Sequence, residues 1–409
     1  MKACFMGLGY IGLPTSIIAA KNGIQILGVD IDPKVVEKTN EGELHIIEPG
    51  MEELLKDVVM SGMFRASTKP EVCDAYFMVV PTPFKGNHEP DISYVEAATR
   101  SVIPYLKEGD LYVIESTSPV GTTELMANII YTERPELKDK IYIAYCPERV
   151  LPGNVIYELV HNDRVIGGLN PRSTEKAMCF YSQFVKGTLH KTNARTAEMC
   201  KLTENSSRDV QIAFANELSL ICADQGINVW ELIRLANRHP RVNILQPGPG
   251  VGGHCIAVDP WFIVAQNPQQ ARLIRTAREV NDHKPFWVID QVKAAVADCL
   301  AATDKRASEL KIACFGLAFK PNIDDLRESP AMEIAELIAQ WHSGETLVVE
   351  PNIHQLPKKL TGLCTLAQLD EALATADVLV MLVDHSQFKV INGDNVHQQY
   401  VVDAKGVWR

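Results

Sequence analysis

The first thirty residues constrain the fold most, because they place a glycine-rich turn between an apolar strand and a helix. Residues 2–6 have the composition of a buried strand, and the GLGYIG pattern of residues 7–12 follows directly. A helical stretch then ends at Gly23, and a second apolar strand leads to Asp30. This order of strand, glycine turn, helix, strand and acid predicts a βαβ unit that binds a dinucleotide.

Each glycine of the pattern has a separate expected role. Gly7 permits the tight turn, Gly9 lets the backbone approach a pyrophosphate, and Gly12 lets the helix pack on the strand. The N-terminus of the helix offers free N–H groups and the positive end of the helix dipole to the phosphates. Asp30, eighteen residues after Gly12, is placed to bind both ribose hydroxyls, which favours NAD over NADP.

The rest of the chain predicts a helical region and a second α/β domain. Strand-like segments alternate with helical stretches up to residue 166, which favours a doubly wound parallel sheet, and residues 196–225, free of proline and glycine, predict one long helix. A new strand, turn and helix begin at Lys311. The expected fold class is α/β, with two Rossmann-like doubly wound parallel-sheet domains joined by a central helical region. The expected domain boundaries are 1–195, 196–300 and 301–409.

Composition excludes several classes of protein. The chain has 409 residues and a net charge of −11, so phosphate backbones repel it and nucleic acid is not expected as a partner. No segment approaches the roughly 20 apolar residues of a membrane span, and the N-terminus has no signal peptide, so a cytoplasmic protein is expected. The ten cysteines form no CxxC pair, which favours free thiols over a metal site.

Cys255 is the candidate nucleophile. It ends a loop rich in glycine and proline, residues 246–255, and its polar neighbours are His254 and Asp259. A nucleophilic thiol needs such access, but a surface thiol in a structural loop fits the pattern equally well. Glu148, which follows a predicted strand and a proline, is either a general base or an ordinary solvated carboxylate.

Two groups of basic and polar residues also leave alternatives open. Lys201, Asn205 and Arg208 share one face of the long helix, where they either orient a water or an alkoxide, or form a solvated surface. The spacing alone favours the solvated surface. Lys320 and Arg327 follow the first strand of the second α/β domain, and they either hold a phosphate or belong to a loop of balanced charge.

Six sequence blocks together resemble the UDP-glucose/GDP-mannose dehydrogenase family over essentially the whole chain. They are GLGYIGLP (7–14), STSPVG (116–121), CPERVLPG (146–153), KLTENSSRDVQIAFANEL (201–218), GPGVGGHCIAVDP (248–260) and GLAFKPNIDDLRESPA (316–331). The resemblance implies an N-terminal domain for NAD, a central dimerisation region, a homodimer, and a C-terminal domain for the UDP part of a UDP-sugar. It also implies that a C6 alcohol is oxidised to a carboxylate while two NAD are reduced in turn.

The CPERVLPG block and RHPRVNIL (238–245) are similar to the N-acetylhexosamine branch of the family. The resemblance therefore implies UDP-N-acetyl-D-mannosamine as substrate, with UDP-N-acetylglucosamine and UDP-glucose as alternatives, and a product used in surface polysaccharides of the common-antigen type. Two alternative functions are also considered.

One alternative is a two-electron β-hydroxyacid dehydrogenase, which has a similar N-terminal domain and long helix but needs no thiol, so Cys255 and the complete third domain argue against it. The other is a non-enzymatic NAD-binding sensor. Such a protein would have lost Cys255, Lys201 or Asn205, and all three residues are present.

The resemblance also assigns roles to residues of the matching blocks. The expected catalytic residues are Cys255, Lys201, Asn205, Asp259, Glu148 and Thr117. The expected NAD contacts are Gly7, Gly9, Tyr10, Ile11, Gly12, Asp30, Thr82, Thr117 and Arg327. The expected UDP-sugar contacts are Glu148, Arg149, Val150, Asn154, Lys201, Asn205, Arg208, Arg241, Gly252 and Lys320. In the implied mechanism Cys255 forms a thiohemiacetal and then a thioester, which water hydrolyses with Glu148 as the base. His254 stands where some branches of the family carry a small residue.

Overall fold

The computed structural model describes residues 1–46, 48–86, 88–150, 153–253, 255–391, 396 and 399–408. The chain divides into two units, of which the first comprises Met1–Glu204 with Trp261–Gln266. The second comprises Asn205–Pro260 with Asn267–Arg409.

The strands of the first unit are β1 (Lys2–Met6), β2 (Gln25–Val29), β3 (Phe64–Ser67), β4 (Ala75–Met78), β5 (Phe84–Lys85), β6 (Glu89–Pro90), β7 (Leu111–Ile114), β8 (Tyr142–Tyr145), β9 (Arg164–Gly168) and β10 (Leu189–Asn193). Its helices are α1 (Gly12–Lys21), α2 (Pro33–Asn40), α3 (Met51–Met60), α4 (Ser93–Val102), α5 (Thr122–Glu133), α6 (Val155–His161) and α7 (Pro171–Tyr181). The long helix α8 (Ala194–Asp224) contains the boundary between the units.

The helices that follow are α9 (Val229–Ala236), α10 (Asp259–Gln266), α11 (Arg272–Ala302), α12 (Pro330–Trp341), α13 (Leu369–Thr375) and α14 (Ser386–Lys389). The strands of the second unit are β11 (Lys311–Phe315), β12 (Glu345–Val349), β13 (Thr365–Leu366), β14 (Val378–Met381) and β15 (Tyr400–Asp403).

Among the described residues, eight strands of the first unit form one sheet in the order β10-β9-β8-β7-β4-β1-β2-β3. Six neighbouring strands of this sheet, in the spatial order β8-β7-β4-β1-β2-β3, pair in parallel. The chain winds from β1 outward to β3 and then starts again at β4 on the other side, so the topological switch point lies between β1 and β4. The predicted doubly wound sheet is confirmed, and its switch point is where such sheets bind their ligands.

One edge of this sheet differs from the all-parallel arrangement that the sequence predicts. Strand β9 runs antiparallel to β8, with Tyr145 paired to Gly167, and β10 pairs in parallel with β9. An antiparallel neighbour needs no crossover to the opposite edge of the sheet. The connection that contains α6 therefore starts and ends at the same edge, and Arg164, the first residue of β9, lies near the carboxyl end of β8.

The central strands of the first unit are buried on both faces, which is why their sequences are almost continuously apolar. On one face Phe5 and Phe77 stack with ring centroids 4.5 Å apart, in a core that also includes Leu13 of α1 and Phe180 of α7. The other face packs against α4 and α5 through residues such as Met126. The two helical layers hold the strand ends of this unit in place.

The second unit repeats the same topology on a smaller scale. Its five described strands form a parallel sheet in the order β13-β12-β11-β14-β15, so its switch point lies between β11 and β14. The turn after β11 begins at Gly316, whose N–H donates to the Val349 carbonyl at 2.8 Å, as Gly7 donates to Val29 at 2.8 Å in the first unit. The predicted second Rossmann-like fold is confirmed.

Two helix boundaries also follow from local chemistry. Helix α12 begins with Pro330 as its first residue, and the hydroxyl of Ser329 accepts from the N–H of Met332 at 3.3 Å. Helix α8 ends shortly before Gly226, whose φ of 67° is the left-handed conformation that suits glycine. Searched over its described residues, the chain has no helix that is both long and apolar enough to cross a membrane.

The first prediction concerns the packing of the glycine turn. A Cβ at residue 12 would lie 2.0 Å from the Gly7 carbonyl oxygen, whereas at Gly9 no atom lies within 4 Å. We expect Gly12→Ala to lower the free energy of unfolding by about 1–3 kcal/mol or more, while Gly9→Ala changes it by less than about 0.5 kcal/mol. Thermal unfolding of both variants measures the difference, and equal midpoints would contradict it.

Candidate active site

The glycine turn of the first unit leaves room for a ligand at the switch point. Gly7 has a φ of +101°, and a Cβ there would lie 2.3 Å from the Val79 carbonyl oxygen. Gly9 faces open space, and Tyr10 is 44% exposed. Helix α1, which follows Ile11, has no side-chain cap and no acidic residue in its first turn among the described residues. An uncapped, unopposed helix N-terminus suits a phosphate.

Asp30 lies at the end of β2, at the position expected for the ribose ligand. One carboxylate oxygen accepts from the N–H of Leu8 at 3.0 Å, and the other accepts from the N–H of Asp32 at 3.0 Å. The side chain is half-buried, and these contacts orient it beside the glycine turn. These groups therefore fit an adenine dinucleotide: open backbone at Gly9, a helix N-terminus without a side-chain cap, and a fixed carboxylate.

The ends of β4 and β7 are tied together beside this turn. The Thr82 hydroxyl donates to the Thr117 carbonyl at 2.6 Å, and the Ser116 hydroxyl accepts from the N–H of Val80 at 2.9 Å. Glu198 of α8 accepts from the N–H groups of Gly121 and Thr123 at 2.7 and 2.8 Å. The STSPVG turn is thus fixed at both ends, and it presents the half-buried Thr117.

Glu148 is buried and bound on both oxygens. Its Oε1 accepts from the N–H of Arg149 at 2.6 Å, and its Oε2 accepts from the Arg164 guanidinium at 2.8 Å. The side chain of Glu148 is 8% exposed and that of Arg164 is 4% exposed. A lone solvated carboxylate, the alternative that the sequence left open, does not describe this residue.

The neighbouring predicted sugar contacts have protein partners of their own. Arg149 forms a two-pronged ion pair with Glu204, with nitrogen–oxygen distances of 3.1 and 2.9 Å. Val150 is half-buried and packs against the core, and Asn154, exposed, precedes α6. This segment follows β8 at the carboxyl edge of the sheet.

In the second unit, Asn205 and Asp259 form a pair. The Asn205 side-chain amide donates to an Asp259 carboxylate oxygen at 2.5 Å, and Asp259 is 3% exposed. Cys255 is exposed, and its carbonyl accepts from the N–H of Asp259 at 2.8 Å. The structure therefore places three predicted catalytic residues of this unit side by side. His254 lies outside the described residues.

The loop before Cys255 is fixed by close packing. The Asn216 side chain accepts from the N–H of Gly248 at 2.9 Å, and the N–H of Gly253 donates to the Arg327 carbonyl at 3.3 Å. A Cβ at Gly252 would lie 2.3 Å from the Glu328 carbonyl oxygen. Gly252 and Gly253 thus allow this loop to lie against the backbone of residues 327 and 328 within the second unit.

The orientation of α8 in this unit is set by a buried ion pair. The Arg278 guanidinium of α11 donates to Asp209 at 2.6 Å, and the Asn281 amide donates to the same carboxylate oxygen at 2.8 Å. Asp209 follows Asn205 by one helical turn, so the pair fixes the face that Asn205 presents.

The other basic residues predicted to bind ligands lie at the surface. Arg208, Arg241 and Lys320 are exposed, and Lys201 is half-buried on α8. Arg327 is held by a fork of hydrogen bonds to Asp325 at 2.6 to 3.0 Å. No group of three or more potential metal ligands occurs within the described residues.

Two residues of these sites escaped the sequence reasoning: Arg164 and Asn216. Arg164 begins a predicted strand of ordinary core composition, and Asn216 lies within the predicted long helix. The one available signal was the charge of Arg164 at the start of an apolar strand, since a buried charged residue is almost always paired.

Three family models match most of the chain. The family model for the NAD binding domain of the UDP-glucose/GDP-mannose dehydrogenase family matches residues 1–185, the central domain matches 195–283, and the UDP binding domain matches 313–409. The chain therefore belongs to the UDP-glucose/GDP-mannose dehydrogenase family and is an NAD-dependent dehydrogenase. The family and cofactor predictions are confirmed.

Several relatives are similar to this chain over nearly its whole length. The UDP-N-acetyl-D-mannosamine dehydrogenase of Escherichia coli (strain K12) is 75% identical over 99% of this chain and 98% of its own length. The protein of the same name from Salmonella typhi is 70% identical with the same coverage. The solved structure of a UDP-D-ManNAc dehydrogenase from Pyrococcus horikoshii has a TM-score of 0.89 and 37% identity, covering 100% of this chain and 96% of that one.

The second prediction follows from Glu115. Burial raises its pKa to about 7, against the lowering effect of Arg164. Because the folded-state pKa exceeds the ordinary value of 4.5, Glu115 favours folding at low pH and loses this contribution as the pH rises through 7. The free energy of unfolding of the unmodified protein should therefore fall between acid pH and pH 8 by up to about 3 kcal/mol more than that of Glu115→Gln, which has no carboxylate to ionise at this position.

Urea denaturation of the protein and of Glu115→Gln at pH 5 and pH 8 measures this difference, with the exposed Glu175→Gln as control. A gap between Glu115→Gln and the unmodified protein that does not change with pH would contradict the prediction.

Proposed function

We propose that the protein oxidises UDP-N-acetyl-D-mannosamine at C6 to UDP-N-acetyl-D-mannosaminuronate, in two successive NAD-dependent steps that pass through a thioester on Cys255. The full-length similarity to UDP-N-acetyl-D-mannosamine dehydrogenases carries this proposal. The Asn205–Asp259 pair beside the exposed Cys255 supports the chemistry.

The proposed division of labour follows three segments of the chain. Residues 1–195 bind NAD, residues 196–300 carry the reactive thiol and the dimerisation surface, and residues 301–409 bind the UDP part. The glycine turn, Asp30 and Thr82 hold the dinucleotide with Thr117, and Arg327 contributes a positive charge to its phosphates. When bound, NAD supplies the hydride acceptor for both oxidations.

In the first oxidation the C6 hydroxyl loses its proton. Lys201, Asn205 and Asp259 hold the water that takes this proton, and the direct hydrogen bond from Asn205 to Asp259 at 2.5 Å keeps these two side chains in one orientation. The Lys201 ammonium, one helical turn before Asn205, stabilises the developing alkoxide.

In the second oxidation the sulfur of Cys255 adds to the aldehyde. The resulting thiohemiacetal carbon again bears a transferable hydrogen, and its oxidation leaves a thioester. Water then attacks the thioester carbonyl, Glu148 takes the proton, and the carbon–sulfur bond breaks to release the carboxylate and restore the thiol. The thiol thereby keeps a reactive aldehyde bound to the enzyme.

The remaining predicted contacts are proposed to bind the sugar nucleotide. They are Arg149, Val150, Asn154, Arg208, Arg241, Gly252 and Lys320. The exposed positive side chains among them suit the diphosphate, which carries two negative charges.

We further propose a cytoplasmic homodimer. Helix α8 exposes large apolar side chains, with Phe214 53% and Ile221 45% accessible, as expected of a surface that a second copy covers. The ten cysteines form no CxxC pair, which suits a reducing compartment.

The third prediction is the stoichiometry of the reaction. With excess NAD and limiting UDP-N-acetyl-D-mannosamine, about two NADH should form per sugar consumed, since the thiol route needs two hydride transfers. Absorbance at the NADH band, with sugar consumption by chromatography, gives the ratio. About one NADH per sugar would leave no role for the thioester, and none would move the substrate to UDP-N-acetylglucosamine or UDP-glucose, to be tested in the same assay.

The fourth prediction concerns the thiol. Cys255→Ala should abolish steady NADH formation from the UDP-sugar, because without a thiohemiacetal the second oxidation cannot take place. Cys179→Ala is the matched control, since the Cys179 side chain is exposed as that of Cys255 is, and it should retain full activity. Undiminished steady turnover by Cys255→Ala would favour the two-electron β-hydroxyacid type of reaction.

A further inference from the structure

Glu148 is held more firmly than a base that only contacts solvent. One of its oxygens is bound by the backbone N–H of Arg149 at 2.6 Å and the other by Arg164 at 2.8 Å. One donor belongs to the main chain and the other to a side chain of β9, so rotation of the carboxylate would break one of the two contacts. Groups held in this way keep the geometry that catalysis needs.

Arg164 is itself fixed by its surroundings. Its guanidinium carbon lies 5.1 Å from the centroid of the Tyr181 ring, and the Tyr181 hydroxyl donates to Glu115 at 2.5 Å. The other oxygen of Glu115 is buried and has no hydrogen-bond partner in the part of the chain that the structure describes. The cluster thus holds two carboxylates and one guanidinium, all buried.

The charges in this cluster favour the pairing with Glu148. Burial raises the pKa of Glu115 to about 7, so near neutral pH Glu115 carries a proton for part of the time. The positive charge of Arg164, whose pKa is raised further despite burial by the nearby Glu148, is therefore directed mainly to Glu148. A buried carboxylate without such a partner would be strongly destabilised.

The strand register places the two residues together. Tyr145 pairs with Gly167 across the antiparallel β8–β9 contact, and continuing this register three residues outward sets Arg164 opposite Glu148. The sheet edge itself therefore determines their separation, and no flexible loop intervenes on the side of Arg164.

We propose that Arg164 is a positioning residue that orients Glu148 as the base for hydrolysis of the Cys255 thioester, an inference that rests on the function proposed above. In this step the water oxygen bonds to the thioester carbon, the water proton goes to Glu148, and the carbon–sulfur bond breaks. No electrons are exchanged with NAD. Arg164 acts on this step through the carboxylate of Glu148.

Accumulation of the thioester tests this role. In Arg164→Met, hydrolysis should become rate-limiting, so kcat should fall by about 10- to 100-fold while KM for the UDP-sugar changes little. Rapid mixing should show a burst of about two NADH per Cys255 before slow turnover. Acid-quenched protein should carry the mass of the sugar nucleotide on Cys255, and Glu148→Gln should give the same species.

Two further variants separate positioning from stability. Arg164→Lys keeps the buried charge but loses the planar fork, and it should restore part of the hydrolysis rate with less thioester than Arg164→Met. This variant also decides the matter if Arg164→Met does not fold. Tyr181→Phe removes the hydrogen bond to Glu115 but keeps the ring and the Arg164–Glu148 pair, and it should accumulate no thioester.

Two kinds of result would overturn the inference. The first is a full kcat in Arg164→Met or Arg164→Lys. The second is slow turnover of Arg164→Met with neither an NADH burst nor a thioester on Cys255, while Glu148→Gln shows both. That second pattern would indicate that Arg164 has a structural role alone. Failure of the proposed function has a different signature: the unmodified protein would form no NADH with any of the UDP-sugars, or Glu148→Gln would trap no thioester. In that case Glu148 is not the base for thioester hydrolysis, and the positioning role proposed for Arg164 is excluded as well.

Discussion

The close approach of a glycine turn to the neighbouring strand is the constraint on which both sheets depend. At Gly7 a side chain would meet the Val79 carbonyl at 2.3 Å, and at Gly316 it would meet Val383 at 2.3 Å. Both positions also have a positive φ that other residues rarely adopt. Because the chain reverses so tightly there, the helix N-terminus and the ends of the next strands converge on one edge of each sheet.

The two turns use their acids in different ways. Asp30 is half-buried and accepts from the backbone N–H groups of Leu8 and Asp32. Glu350, at the same position of the second unit, accepts from the N–H groups of Leu317 and Ala318 at 2.8 and 3.1 Å, and it pairs with the buried His385 at 3.0 Å. Its oxygens are occupied inside the protein, so it secures the turn. Because Glu350 holds the turn in this way, the second unit has the Rossmann topology although its glycine pattern is incomplete.

The antiparallel edge of the first sheet has the largest effect on the chemistry. With β9 parallel to β8, Arg164 would begin its strand at the opposite edge of the sheet, and Glu148 would be a buried carboxylate without a cation. Reversal of one strand brings the guanidinium to the carboxyl edge, where β7 and β8 also deliver Glu115 and Cys146. One strand direction thus changes the charge balance around the proposed base.

The sequence alone determined both Rossmann-like units, the long helix α8 and the dinucleotide turn, because each follows from local rules: apolar periodicity, glycine at a strained turn, and proline or glycine at helix ends. It also identified Cys255 and Glu148 as candidates, although their spacing left plainer explanations open. Only the tertiary structure decided that Asn205 bonds to Asp259 and that Glu148 is buried against Arg164. Those pairings join residues far apart in the chain, and they depend on strand direction and burial, which no local pattern encodes.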